Sequence, residues 1–120
     1  MPDTVTIWHN PRCSTSRRVL DMIRAAGVEP RIVDVTRTPP SREQMARLMA
    51  AAGLAPCAAL RRKDPLFASL SLDDASGETC LDAAAANPAL LERPFVSTAR
   101  GTRLCRPVER LWEVLDPPPS

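Results

Sequence analysis

The chain combines a strand, a turn, a helix and a second strand within its first 35 residues. Polar and apolar residues alternate over Thr4–Trp8, a pattern typical of a half-buried strand. Apolar side chains then recur at helical spacing over Thr15–Ala26, and Gly27 follows as a C-terminal cap. Arg31–Val35 predicts a second strand. Two strands joined by a helix predict a parallel β-α-β unit and therefore an α/β fold.

The middle of the chain predicts a block of helices. Pro39-Pro40 interrupts the chain, and Ser41–Gln44 is a capping box at the start of a helix that ends at Gly53. The apolar stripe of this helix consists of Met45, Leu48, Met49 and Ala52. Shorter helices are predicted over 56–61, 65–69 and 79–86.

Two short strands and a helix complete the predicted fold. Phe95–Ser97 and Thr102–Cys105 flank a turn, and Pro107 suits the first position of the final helix. This order of elements predicts a thioredoxin-like, three-layer α/β fold with a mixed four-stranded sheet and a helical insertion between its halves. A chain of 120 residues has the size of one domain, which we expect over 1–116 with a short Pro-rich tail at 117–120.

The composition disfavours several classes of protein. A net charge of +2 provides no general attraction to nucleic acid or to membranes, and no apolar stretch is long enough to span a bilayer. The first thirty residues contain no secretory signal pattern. We therefore expect a cytoplasmic protein that binds neither nucleic acid nor membranes.

The four cysteines, Cys13, Cys57, Cys80 and Cys105, contain no C-x-x-C pair. Their spacing predicts neither a zinc site nor a two-cysteine redox motif, and we expect no metal and no tightly bound organic cofactor. A disulfide framework is not expected, because the chain has enough apolar residues to fold with reduced thiols. Ser16 stands where a two-cysteine oxidoreductase would carry its second thiol, so any disulfide partner of Cys13 must come from elsewhere.

Cys13 follows the turn Asn10-Pro11 and opens the first predicted helix. The unpaired N–H groups and the positive dipole end of a helix start favour a thiolate. Nearby arginines add positive charge: Arg12, Arg17 and Arg18. The alternative is a small buried hydrophobic residue, which the flanking cations and hydroxyls disfavour. We interpret Cys13 as a reactive thiolate.

Two polar residues accompany Cys13. His9, the only histidine of the chain, can favour the thiolate as an imidazolium, orient the loop as a neutral ring, or cap the strand end. Ser16, one turn into the helix, can donate a hydrogen bond to the sulfur or cap the helix. The sequence leaves these alternatives open.

Three further arginines stand where the chain is expected to change direction: Arg61, Arg93 and Arg106. A guanidinium group offers several N–H donors in a rigid fork that suits a tetrahedral oxyanion. Arg93 and Arg106 each precede a proline at the edge of a predicted strand. Each of the three is a candidate oxyanion ligand, and the alternative for each is a solvated surface charge.

Several motifs together resemble those of the glutaredoxin-coupled arsenate reductases. The resemblance runs from about residue 5 to residue 115 and is carried by His9–Arg17, Pro39–Arg42, Leu60–Lys63, Glu92–Pro94 and Gly101–Pro107. It implies that Cys13 is the nucleophile and that His9 and Ser16 tune it. It further implies that the substrate oxyanion is held by Arg61, Arg93 and Arg106. The family also places a cis proline beside the site, which would be Pro94.

The same resemblance implies that arsenate is the substrate. In the family mechanism the thiolate displaces an oxygen from As(V), and glutathione then attacks the arsenic adduct. Glutaredoxin resolves the mixed disulfide as As(III) is formed and arsenite leaves. Glutathione as co-substrate and glutaredoxin as partner agree with the single active-site thiol that the sequence predicts.

The chain departs from the family pattern at Trp8, Arg12 and Ser14, and Arg12 adds a cation next to the thiol. Arg62 directly follows Arg61, so either arginine can be the ligand. Three cysteines match no thiol that the family requires and are interpreted as packing residues: Cys57, Cys80 and Cys105.

Two alternative functions are compatible with the same fold. One is a superfamily regulator that docks on RNA polymerase, but such regulators generally use a cysteine pair that Ser16 removes here. The other is a glutathione-dependent thiol–disulfide oxidoreductase without arsenate activity, which has no need for three converging arginines.

Overall fold

The β-α-β unit predicted at the start of the chain is present in the computed structural model, which describes residues 4–119. Strand β1 comprises Thr6–His9, helix α1 comprises Ser14–Ala25, and strand β2 comprises Arg31–Asp34. β1 and β2 pair in parallel, as predicted. β1 is shifted toward its carboxyl end relative to the prediction, and its inward-facing positions are Ile7 and His9, both buried.

The second predicted strand pair is β3 (Phe95–Thr98) with β4 (Gly101–Leu104). The sheet has the order β2-β1-β3-β4, and β3 is antiparallel to both of its neighbours. Trp8 of β1 and Leu104 of β4 both lie opposite Phe95. The carboxyl ends of β1 and β4 and the amino end of β3 therefore meet at one end of the sheet. The predicted α/β fold with a mixed four-stranded sheet is confirmed.

Helix α1 and the last helical segment share an apolar core with the sheet. Its buried members are Val5, Ile7, Val19, Leu20, Ile23, Val96, Cys105, Val108 and Leu111. Burial of one such aliphatic side chain contributes about 1.5–3 kcal/mol to stability. Cys105 is the packing residue that the sequence predicts, and burial raises its pKa to about 12. The last segment is a 3-10 helix over Val108–Glu113, one residue later than predicted because the backbone of Pro107 is extended.

The predicted helical block contains α2 (Arg42–Ala51), α3 (Pro65–Ser69) and α4 (Gly77–Ala86). The capping box is confirmed, because the Ser41 hydroxyl accepts the Gln44 N–H and the Gln44 side chain accepts the Ser41 N–H. Single 3-10 turns lie at 56–59, 72–74 and 88–90. The first is shorter than the predicted helix 56–61, since the backbone of residue 60 is extended. Within residues 4–119, every helix is too short or too polar to cross a membrane.

Cys57 and Cys80 form a disulfide, which corrects two expectations: that both are packing residues and that the chain folds with reduced thiols. Cys57 lies in the turn 56–59 and Cys80 on α4, with 5.2 Å between their Cα atoms. Gly77 of α4 lies beside the Pro56 ring of the turn, where a Cβ would be 3.4 Å away, an ordinary van der Waals contact. The sequence does not predict this pair, because the cysteines are 23 positions apart and come together only when the turn packs on α4.

The contacts of the chain divide into two units. The sheet unit comprises the described residues up to Thr38 and those from Arg93 onward, and the helical unit is Pro39–Glu92. All four strands belong to the sheet unit. The single domain predicted over 1–116 is not tested by this division and stays a prediction, as does the tail at 117–120, whose last residue lies outside the described range.

Candidate active site

Cys13 occupies the N-cap of α1, at the end of the sheet where β1 leads into the helix. Asn10 shapes the intervening turn, because its carbonyl accepts the Cys13 N–H at 3.0 Å and its Oδ1 accepts the Arg12 N–H at 2.9 Å. The first is the backbone bond of a β-turn, and the second is the side-chain bond that asparagine makes to the backbone two residues on. The sequence predicts Asn10 only as half of a turn, although an asparagine before proline and close to the cysteine is a signal for this further role.

The surroundings of Cys13 favour its thiolate. Burial alone would raise the pKa of Cys13, but the backbone N–H of Ser16, the Arg93 guanidinium and the backbone N–H of Thr15 together lower it below its usual value. The thiol is partly exposed, so a solute can reach it. The structure thus agrees with the predicted activation by a helix start. The cation that lowers the pKa of Cys13 is Arg93, whereas the sequence predicts the flanking arginines in this role.

Arg93 and Arg106 meet at this end of the sheet because they flank paired strands. Arg93 lies two residues before Phe95 and Arg106 two residues after Leu104, and Phe95 and Leu104 are opposite each other. The Arg106 Nη1 donates to the Arg93 carbonyl at 3.1 Å and lies 4.0 Å from the Cys13 Sγ. Both arginines precede cis prolines, including Pro94, for which the resemblance implies this isomer.

His9 and Ser16 form a buried polar pair beneath the cysteine loop. The Ser16 Oγ lies 2.6 Å from His9 Nδ1 and accepts the Asn10 N–H at 3.0 Å. His9 is 6% exposed and Ser16 is fully buried. Burial lowers the pKa of His9 more than the nearby Asp34 carboxylate raises it. This geometry favours a neutral His9 ring, which orients the loop, and disfavours an imidazolium. The Ser16 hydroxyl bonds to the loop, whereas the Ser16 backbone N–H faces the sulfur.

Arg61 lies in the helical unit, where its Nη1 is 3.5 Å from an oxygen of Asp64. Arg62 differs from it, because its guanidinium pairs with Asp73 at 3.0 Å and stacks 5.3 Å from the centre of the Phe67 ring. Each arginine thus has a carboxylate partner within the helical unit, and the distance is longer for Arg61. The role of Arg61 in the site stays a prediction.

The arrangement in the sheet unit suits attack on a tetrahedral oxyanion. A thiolate supplies the nucleophile, and two guanidinium groups supply positive charge and N–H donors for the oxygens. Among the described residues 4–119, no group of three or more acidic, histidine or cysteine side chains could hold a metal ion.

The lowered pKa of Cys13 predicts a measurable pH dependence of thiol reactivity. The thiolate is present above that pKa and is lost as the pH falls through it. The rate of Cys13 alkylation by iodoacetamide should therefore approach its plateau at pH values where free cysteine, with a pKa of about 8.5, is mostly protonated. An alkylation profile that rises only near the value for free cysteine would contradict activation by the helix start. Peptide mass spectrometry separates Cys13 from the buried Cys105.

Removing the Ser16 hydroxyl should disturb the loop that positions Cys13. In Ser16→Ala the buried Asn10 N–H and His9 Nδ1 lose their shared partner, a loss that costs about 1–3 kcal/mol. We expect a lower denaturation midpoint and a pKa of Cys13 that moves back toward the free value. Ser14→Ala is the matched control, since Ser14 lies in the same helical turn but is exposed. Equal effects of the two variants would exclude this role for Ser16.

Comparisons with known proteins agree with this architecture. The ArsC family matches residues 8–114. An arsenate reductase of Rhizobium meliloti (strain 1021) is 50% identical over 114 residues, covering 93% of this chain and 81% of the relative. An arsenate reductase of Escherichia coli (strain K12) is 42% identical, covering 92% and 80%. The solved structure of an arsenate reductase from Vibrio cholerae superposes with a TM-score of 0.87 at 36% identity, covering 93% of this chain and 98% of that one. The family match and the identity to these relatives show that this chain belongs to the ArsC family.

Proposed function

We propose that this protein reduces arsenate to arsenite, with the Cys13 thiolate as nucleophile. The observation that carries the proposal is a partly exposed cysteine at a helix start, with its pKa lowered and the Arg93 and Arg106 side chains beside it. The relatives named as arsenate reductases support the choice of substrate. Arsenate is largely a dianion at neutral pH, so it approaches a thiolate only where cations offset the repulsion.

The proposed reaction takes two electrons from two thiols. The Cys13 sulfur forms a bond to As(V) and displaces one oxygen, which leaves as water after protonation. A glutathione thiol then attacks the adduct, a disulfide forms between Cys13 and glutathione, and the two electrons reduce As(V) to As(III). Glutaredoxin reduces the mixed disulfide and restores the Cys13 thiolate. His9 and Ser16 hold the loop, and Arg93, Arg106 and Arg61 bind the oxygens.

The distribution of the cysteines supports an external reductant. Cys57 and Cys80 are bonded to each other. Cys105 is buried, and its pKa is raised to about 12, so it is a poor nucleophile. Among the described residues, Cys13 is bonded to no other cysteine in this structure, and we therefore propose glutathione and glutaredoxin as the source of electrons.

The decisive experiment compares reductants and substrates on the purified protein. We expect arsenite to form from arsenate when glutathione and glutaredoxin are both supplied, and to form far more slowly when thioredoxin and its reductase replace them. Absence of arsenite with any thiol reductant would overturn the proposal. Reduction of a small glutathione mixed disulfide without arsenate turnover would identify a thiol–disulfide oxidoreductase instead.

A further inference from the structure

The helical unit contains a pair of cysteines that the proposed reaction does not use. Cys57 in the turn 56–59 and Cys80 on α4 are bonded, and the 5.2 Å between their Cα atoms lies within the usual range for disulfides. The turn 56–59 packs on α4 at other positions besides the two cysteines, and Gly77 lies beside the Pro56 ring there. The two elements are therefore neighbours apart from the sulfur bond, so the bond can break and form again between nearby thiols.

The two sulfur atoms differ in access. Cys80 is 0% exposed, whereas Cys57 is partly exposed and lies 3.5 Å from the Ala75 and Ser76 carbonyl oxygens at the surface of the unit. Thiol–disulfide exchange requires the attacking sulfur to reach the disulfide along its axis, so access selects the sulfur that exchanges with solutes. Only Cys57 of this pair meets that requirement.

We infer that Cys57 and Cys80 are a reversible redox site that exchanges with small thiol–disulfide couples such as glutathione. In the oxidising direction the Cys57 thiolate attacks glutathione disulfide, which forms a mixed disulfide at Cys57 and releases one glutathione thiol. Cys80 then loses its proton and attacks the Cys57 sulfur, which closes the protein disulfide and releases the second glutathione thiol. Two protein thiols are oxidised and one glutathione disulfide is reduced to two thiols. Excess glutathione reverses both steps.

The bond anchors a segment that leads directly into Arg61. Ala59, at the end of the turn, accepts the Glu92 N–H at 2.9 Å, and the Arg61 N–H donates to Leu90 at 2.7 Å. These two hydrogen bonds form an isolated antiparallel β-bridge between Leu60 and Leu91, which joins the segment to residues 90–92. The disulfide closes a loop between positions 23 residues apart and so restricts the locally unfolded states of this segment. Oxidation should therefore slow hydrogen exchange at the Arg61 and Glu92 amides.

The test measures oxidation and local stability of the full chain. The protein is reduced, equilibrated anaerobically at defined ratios of glutathione to glutathione disulfide, alkylated, and analysed by peptide mass spectrometry. Cys57 and Cys80 should lose alkylation together and appear as one linked peptide pair, and reduction should restore both. Hydrogen exchange at the Arg61 and Glu92 amides should be about tenfold or more faster in the reduced protein, while the amides of β1 stay unchanged.

Two single variants test the route of exchange. In Cys80→Ala, Cys57 should accumulate a glutathione mixed disulfide, because no second sulfur can displace it. In Cys57→Ala, the buried Cys80 should stay free. Full alkylation of both cysteines at every ratio in the wild type, or equal glutathionylation in the two variants, would overturn the inference. None of these measurements uses arsenate, so their failure and the failure of the proposed function are separate results.

Discussion

Cys13→Ser is expected to abolish arsenate reduction while the fold stays intact. The hydroxyl that replaces the thiol is not ionised at neutral pH, although the same N–H groups of Ser16 and Thr15 still face it. A serine alkoxide, even if formed, has no sulfur to join in a disulfide, so the two-electron step has no route. Arsenite formation measured with glutathione and glutaredoxin in excess should fall to the rate without enzyme.

The control for this variant is another cysteine substitution. Cys57→Ser also removes one sulfur, but from the turn 56–59 of the helical unit, which does not contain the proposed nucleophile. It should retain arsenate reduction in the reducing assay. Circular dichroism should give the same spectrum for Cys13→Ser and the wild type. Appreciable turnover by Cys13→Ser would reject the assignment of the nucleophile.

Arg106→Ala should lower kcat/KM for arsenate by on the order of 100-fold, the usual cost of removing one donor to a developing oxyanion. The substitution removes the guanidinium whose Nη1 lies 4.0 Å from the Cys13 sulfur. Arg93→Ala should have an effect of similar size and should also raise the pKa of Cys13, because the Arg93 guanidinium helps to lower it. Steady-state kinetics and the alkylation profile measure the two quantities independently.

The matched control lies on the same hairpin. Arg100 occupies the turn between β3 and β4, at the opposite end of these strands, and its Nη1 donates to an Asp116 oxygen at 2.7 Å. Exposed pairs of this kind contribute little to stability. Arg100→Ala should therefore leave turnover nearly unchanged. A comparable loss in Arg100→Ala and Arg106→Ala would indicate a general charge effect on substrate approach, and the assignment of Arg106 as a ligand would fail.

The elements of the sheet unit and the place of Cys13 were predictable because local signals specify them. Alternating polarity marks β1, and helical spacing with a cap marks α1. The roles of Arg93 and Arg106 were predictable only as candidates, since their meeting depends on the pairing of β3 with β4. The functional assignment came from the family resemblance and not from spacing.

Other features depend on tertiary packing that no local pattern encodes. The Cys57–Cys80 bond requires the turn 56–59 to pack on α4, and the burial of His9, which lowers its pKa, requires the neighbouring strands. Likewise, the hydroxyl of Ser16 turns toward His9 and Asn10 because a buried hydroxyl needs partners. Sequence spacing alone cannot distinguish a Ser16 hydroxyl that faces His9 and Asn10 from one that faces the Cys13 sulfur.

The Arg106 guanidinium is held on the main-chain carbonyl of Arg93, which a truncation of the Arg93 side chain leaves in place. Both guanidinium groups nevertheless act on the same Cys13 sulfur, so their kinetic penalties should not sum in a double-mutant cycle. During divergence, such a pair would change its preference for an anion through concerted exchange of both side chains more readily than through single replacements.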